Sequence, residues 1–145
     1  MMQAQPLSFP WSDTSIDDLL GRLSFDERGL LPAIAQQYDD GQVLMLAWMS
    51  RDSPRESLKT GTVCYWSRSR AALWRKGETS GHFQRLRDLR WDCDADALLL
   101  LVDQEGPACH TNRRSCFYNA MRDEGAVELR DVREQLSLLR LEFEP

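Results

Sequence analysis

The chain has 145 residues, 42% of them hydrophobic and 28% charged, with a formal net charge of -5. That length fits one domain whose core needs no disulfide or metal staple, and the composition excludes wholesale disorder and collagen-like structure. Apolar runs such as residues 97–102 fall far short of the roughly 20 that span a bilayer, and the acidic balance argues against nucleic-acid binding by bulk charge.

Residues 1–24 read as an N-terminal appendage. The first six residues lack the basic and apolar regions of a secretory signal, so a cytoplasmic location is expected. Ser15 to Leu20 predicts a short helix with a Ser cap, stopped near Gly21. Two apolar segments, Leu30 to Gln37 and Val43 to Met49, flank the turn signal Asp39-Asp40-Gly41 and predict a β-hairpin. Ser53-Pro54-Arg55-Glu56 has the Ser, Pro and Glu of a capping box, and the helix it opens should stop at Gly61. Thr62 to Ser67 is β-branched and aromatic, as a strand requires. Arg75 to Gly81 is a small, polar loop, while Phe83 to Trp91 fits neither period. Leu98 to Val102 predicts a buried strand, and Glu105-Gly106-Pro107 a turn. A core of 25–118 is then followed by a tail, 119–145. There Leu129, Val132, Leu136, Leu139 and Phe143 mark an amphipathic helix packed on the same domain. The pattern predicts an α+β fold: a mostly antiparallel sheet with a few helices.

Three constellations carry possible chemistry. Cys93, Cys109 and Cys116 lack the paired spacing of structural zinc sites. Three thiolates and a water would make an open, catalytic site, since zinc lowers the water pKa toward neutrality. Buried cysteines also serve as small apolar residues, and spacing leaves both readings open. Asp92, Asp94 and Asp96 would share one face of an extended stretch, with Cys93 on the other. Three carboxylates so close repel unless a hard cation such as Mg2+ neutralises them, or unless the segment is a solvated acidic turn. An EF-hand is excluded, because Ala97 stands where its sharp-turn Gly belongs. Finally, Arg68, Arg70, Trp74, Arg75, Lys76, Thr79 and Ser80 combine charged donors, hydroxyls and a ring suited to a base, the parts of a phosphate cradle. The spacing is not that of a P-loop, and a solvated basic loop has the same composition.

Together these segments resemble the phosphoribosyl-AMP cyclohydrolases of histidine biosynthesis. The resemblance is carried by Phe25-Asp26-Glu27-Arg28-Gly29-Leu30-Leu31-Pro32-Ala33, Val43 to Met49, Tyr65 to Arg70 and Leu73 to Gly81. It continues through Asp92-Cys93-Asp94-Ala95-Asp96-Ala97-Leu98 and Gly106 to Tyr118. It implies hydrolytic opening of the purine ring of 1-(5-phosphoribosyl)-AMP between N1 and C6. It also implies Zn2+ at Cys93, Cys109 and Cys116, and Mg2+ at Asp92, Asp94 and Asp96. The fold it implies is an intertwined α+β homodimer, the zinc site shared between chains and Cys93 coming from the partner. Arg113 and Arg114 join the residues expected to hold the phosphorylated nucleotide. With 27 residues after Tyr118, no fused pyrophosphohydrolase domain is expected. Asn112 and His82 depart from the family's usual Gly and Asn; Asn tolerates the left-handed backbone that a Gly position implies.

In the expected mechanism, zinc-bound hydroxide attacks C6, as in zinc deaminases, and His110 shuttles protons or serves as a structural donor beside Cys109. A base deaminase is the rival enzyme, but its H-x-E and P-C-x-x-C signature is missing. An RNA-binding module sits poorly with the net charge of -5. A non-catalytic zinc protein would need a fourth protein ligand to close the shell.

Overall fold

A computed structural model of the chain describes residues 5–141. Residues 1–4 of the expected appendage and Phe143 of the expected tail stripe lie outside the described residues. In chain order the elements are α1 (Asp13–Arg22), β1 (Leu31–Gln37), β2 (Val43–Met49), α2 (Asp52–Thr60), β3 (Cys64–Ser67) and β4 (Ala72–Arg75). They continue with β5 (Gln84–Trp91), β6 (Leu98–Gln104), β7 (Asn119–Arg122), β8 (Gly125–Glu128) and α3 (Val132–Leu141).

Ser12 rather than Ser15 caps α1: its hydroxyl accepts from the Ser15 N–H at 3.1 Å. An exposed Gly21 weakens the last turn without ending it. Ile16, Leu19, Leu20 and Leu23 are buried with the strands, so the segment read as an appendage supplies part of the core. The second helix begins at Asp52, which leaves Ser53 inside its first turn instead of at the cap. The Ser53 hydroxyl accepts from the Ser50 N–H at 3.0 Å. Gly61 ends α2 in the left-handed region, φ 81°, where a side chain would be strained.

The six-stranded sheet has the order β4-β3-β2-β1-β6-β5. Its pairings are antiparallel except one: β6 runs parallel to β1 with Ala33 opposite Leu98 and Ala35 opposite Leu100. The sheet is therefore mixed, which corrects the mostly antiparallel expectation. The chain leaves β1 through β2, α2, β3 and β4 on one side, then returns as the β5–β6 hairpin on the other. Inserting the second strand of that hairpin next to β1 fixes the parallel direction.

Both central strands alternate strictly between buried and half-buried residues. Leu31, Ala33 and Ala35 of β1 and Leu98, Leu100 and Val102 of β6 enter the core, each fully buried Leu or Val side chain contributing about 2 kcal/mol. The sheet also curls. Thr62 bridges Arg85, and Val63 donates to the Gln84 carbonyl at 3.0 Å, so β5 meets the chain entering β3. Tyr65 is fully buried inside the curl, its hydroxyl donating to Gln84 Oε1 at 2.6 Å. That bond satisfies the one polar atom the ring brings into the core.

Three strands were not predicted. β4 occupies residues taken partly as loop, and β7–β8 form a separate, solvent-facing hairpin. After it, Leu136 of α3 is buried, and Gln42 on the β1–β2 turn hydrogen-bonds Gln135. No helix of the described residues is long and apolar enough to cross a membrane.

Candidate active site

Two loops meet at one end of the curled sheet. The first leaves β6 at Gln104 and folds back on itself: Ala108 donates to the Arg114 carbonyl and Cys109 to the Arg113 carbonyl, both at 3.0 Å. Asn112 closes this turn with φ 67°, the left-handed backbone anticipated for it. The returning chain is pinned to β2, because Ser115 Oγ donates to the Val43 carbonyl and the Cys116 N–H to the Leu44 carbonyl, each at 2.7 Å. Arg114 Nη1 donates to the carbonyls of Gln104 and Gly106 at 2.8 Å. Its guanidinium is thus committed to bracing the loop, although it was expected at a phosphate.

This construction brings Cys109 beside Cys116. Burial opposes ionisation of Cys109, but hydrogen bonds from Thr111 and Cys116, with the Arg113 charge, together hold the thiol below its ordinary pKa; the Cys109 Sγ to Thr111 Oγ1 distance is 3.0 Å. Burial and the neighbouring Cys109 charge push Cys116 up to about 11. A pair of adjacent thiols, one primed to ionise and the other needing a positive partner, suits a soft divalent cation such as zinc. His110 is exposed in the same turn.

Cys93 is elsewhere. It lies in the turn before β6, whereas Cys109 follows that strand. Seven extended residues, roughly 20 Å of strand, separate that turn from the start of the Cys109 loop, and among the described residues Cys93 forms no metal-sized group with the other two thiols. It is exposed there.

The turn that carries Cys93 also gathers the aspartates. It is not extended, as the alternating-face reading required: Ala95 has φ 62°, and Asp92 Oδ1 accepts from the N–H groups of Asp96 and Ala97 at 3.0 and 3.3 Å. Carboxylate oxygens of Asp92, Asp94 and Asp96 lie within 4.8 Å of one another. Asp94 and Asp92 together push Asp96 up to about 6. Lost hydration opposes ionisation of Asp92, yet its hydrogen bonds with Asp96 and the Ala97 N–H keep it below the usual carboxylate range. Hard oxygen donors converging in this way fit Mg2+. A groove of about 450 Å³ beside the turn is lined by Phe25, Pro32, Trp48 and Asp96. Phe25 and Trp48 were not among the expected site residues; their aromatic character was the available signal.

The second loop follows β4. It surrounds a hollow of about 220 Å³ lined by Arg70, Trp74, Lys76, Thr79 and Ser80, a volume suited to a phosphate group. Within it Gly77 has φ 90°, and a Cβ there would sit 2.5 Å from the Phe83 nitrogen. Gly77→Ala should therefore cost about 2 kcal/mol, read as a lower urea midpoint; an unchanged midpoint would contradict this account of the loop.

The basic residues divide by what they already touch. Arg75 donates to Thr60 Oγ1 and Thr62 Oγ1 at 2.8 and 2.9 Å and pairs with Glu56. Arg113 pairs with Glu128 at 3.0 Å and stacks over Tyr118, while Arg68 stacks 4.8 Å over the Trp48 ring. Lys76 Nζ donates to the Ala108 carbonyl at 2.5 Å. Arg70, Thr79 and Ser80 are exposed.

A family profile described as phosphoribosyl-AMP cyclohydrolase matches residues 45–118. Those residues include the acidic turn, the basic loop and all three cysteines. A protein named phosphoribosyl-AMP cyclohydrolase 2 from Pseudomonas fluorescens is 59% identical over 128 residues, 88% of this chain and 84% of that protein. The chain belongs to the phosphoribosyl-AMP cyclohydrolase family. Cyclohydrolases of the same name from Rhodospirillum centenum and Halorhodospira halophila are 62% and 55% identical. They cover 81% and 88% of the chain, and the matches take in 88% and 89% of those cyclohydrolases.

Proposed function

We propose that this chain hydrolyses 1-(5-phosphoribosyl)-AMP, opening its purine ring between N1 and C6 in histidine biosynthesis. Water adds across that bond: its oxygen goes to C6, which becomes a carboxamide carbon, and a proton goes to N1 as the bond breaks. The similarity to cyclohydrolases over 88% of the chain carries the reading. Four free cysteines fit a reducing cytosol.

Cys109, Cys116 and Cys93 of the partner subunit would hold Zn2+, and Asp92, Asp94 and Asp96 would hold Mg2+. Zinc bound there supplies an attacking water acidified toward neutral pH. The chain's own residues do the rest. Arg70, Thr79 and Ser80 offer donors to a phosphate, and Trp74 a ring to the substrate. Exposed His110 carries a proton between solvent and the N1 side of the breaking bond.

Support for a homodimer comes from two features. Cys93 forms no metal-sized group with the other two thiols among the described residues of its own chain, and an apolar strip remains on the sheet face opposite the core. Ile34 stands opposite Leu46 and Leu99 there, with Leu46 47% exposed.

An absorbance assay of ring opening, run on purified protein with and without a zinc chelator, tests the reading. Turnover should require zinc and return when it is restored; a zinc-loaded protein that leaves the ring intact would refute it. His110→Ala should lower kcat about 100-fold with zinc retained, whereas an unchanged pH–rate profile would remove His110 from the reaction.

A further inference from the structure

We infer that Lys76 is a positioning residue for the thiol pair: its ammonium holds the Ala108 carbonyl and so fixes the loop that presents Cys109 beside Cys116. The inference rests on the zinc-dependent reading above. It departs from the expectation that Lys76, like its neighbours, serves a substrate phosphate.

Lys76 is unlike the rest of the basic loop. Arg70 is exposed, but the Lys76 side chain is partly buried and passes the Trp74 ring, with Nζ 5.6 Å from its centroid. It ends 2.5 Å from an acceptor on the other loop. That acceptor belongs to Ala108, which is only 2% exposed and immediately precedes Cys109. The Ala108 N–H is already bound to the Arg114 carbonyl. Both polar atoms of this peptide segment are therefore held, one by the returning strand of the turn and one by Lys76. The bond joins positions 32 residues apart and ties the phosphate-sized hollow to the thiol loop. Because the same ammonium lies close enough to attract the charge of both sulfurs, its position complements the thiolates that zinc requires. Partners of this kind, one step removed from the metal, commonly control affinity by orienting its ligands.

The test uses the full zinc-loaded chain and three variants. Lys76→Met keeps most of the aliphatic stem and removes donor and charge, Lys76→Gln keeps a donor alone, and Lys76→Arg keeps both. Zinc affinity is measured by chelator competition, loop order by hydrogen exchange over residues 105–116, and kcat and KM by the ring-opening assay. Lys76→Met should lose roughly 10–100-fold in zinc affinity and exchange faster across the loop. Its kcat should fall at saturating zinc while KM stays within about threefold. Lys76→Arg should recover part of the affinity. Where Lys76→Met fails to fold, a smaller loss of zinc affinity in Lys76→Gln, in the same direction and with faster exchange across the loop, supports the role. Unchanged zinc affinity and exchange, with KM raised about tenfold or more, would overturn the inference and return Lys76 to the phosphate. Failure of the ring-opening reading would instead appear as absent turnover in the unmodified protein, leaving the zinc and exchange measurements to decide on Lys76.

Discussion

Cys109→Ala and Cys116→Ala should each bring turnover below detection and strip zinc from the purified protein, the two losses appearing together. The two thiols are adjacent but placed in different electrostatic settings. Cys109 is held below its ordinary pKa by hydrogen bonds from Thr111 and Cys116 with the Arg113 charge, whereas burial and the Cys109 charge raise Cys116. A divalent cation resolves the conflict, because it binds both sulfurs as thiolates and displaces their protons. Removing either sulfur would leave too few ligands to hold zinc, and with the ion would go the shift of the water pKa from about 15.7 toward 7. Folding should be spared, since neither cysteine belongs to the hydrophobic core cluster. Metal analysis, the ring-opening assay and a urea titration on the same preparation separate these effects. Full turnover in a zinc-free preparation of either variant would refute the metal assignment.

How much of this was legible depends on what each feature rests upon. The β1–β2 hairpin and the stop of α2 at Gly61 were readable because turn signals and left-handed glycines act locally. β6 was readable as a buried run, but its parallel partner was not, because hydrophobic periodicity does not name a neighbour. Strand β4 is short and its first residues are exposed, so no alternation distinguishes it from loop. The same holds for β8, exposed throughout. Calling residues 1–24 an appendage underrated Ile16, Leu19 and Leu20, whose helical spacing already implied a buried face. In the site, residue types were legible and their grouping was not. The acidic turn defeated the alternation argument because Ala95 adopts a positive φ that its sequence does not announce. Arg75 and Arg114 looked like phosphate ligands, yet their donors meet Thr60, Thr62 and the carbonyls of Gln104 and Gly106. Composition cannot separate a guanidinium that waits for substrate from one that braces a loop.

The separation of Cys93 from the other thiols leads to a sharper expectation. If each zinc is held by Cys109 and Cys116 of one subunit and Cys93 of the other, then Cys93→Ala and Cys109→Ala chains should complement each other. Each variant alone has no intact site and should be inactive. In a mixed dimer, the Cys93→Ala chain contributes Cys109 and Cys116 while its partner contributes Cys93, which restores one site of the two. Random reassortment of equal amounts makes half of the dimers mixed, so activity should recover to about one quarter of that of the unmodified enzyme. Cys109→Ala mixed with Cys116→Ala should stay inactive, since those two residues act from the same chain and no exchange can reunite them. Mixing after mild denaturation and refolding, followed by the ring-opening assay and zinc content, gives the measurement. Recovery in the first mixture but not in the second requires ligands from both chains, because among the described residues of one chain the three thiols form no metal-sized group. Silence in both mixtures, with native dimers re-formed, would rule out the shared site.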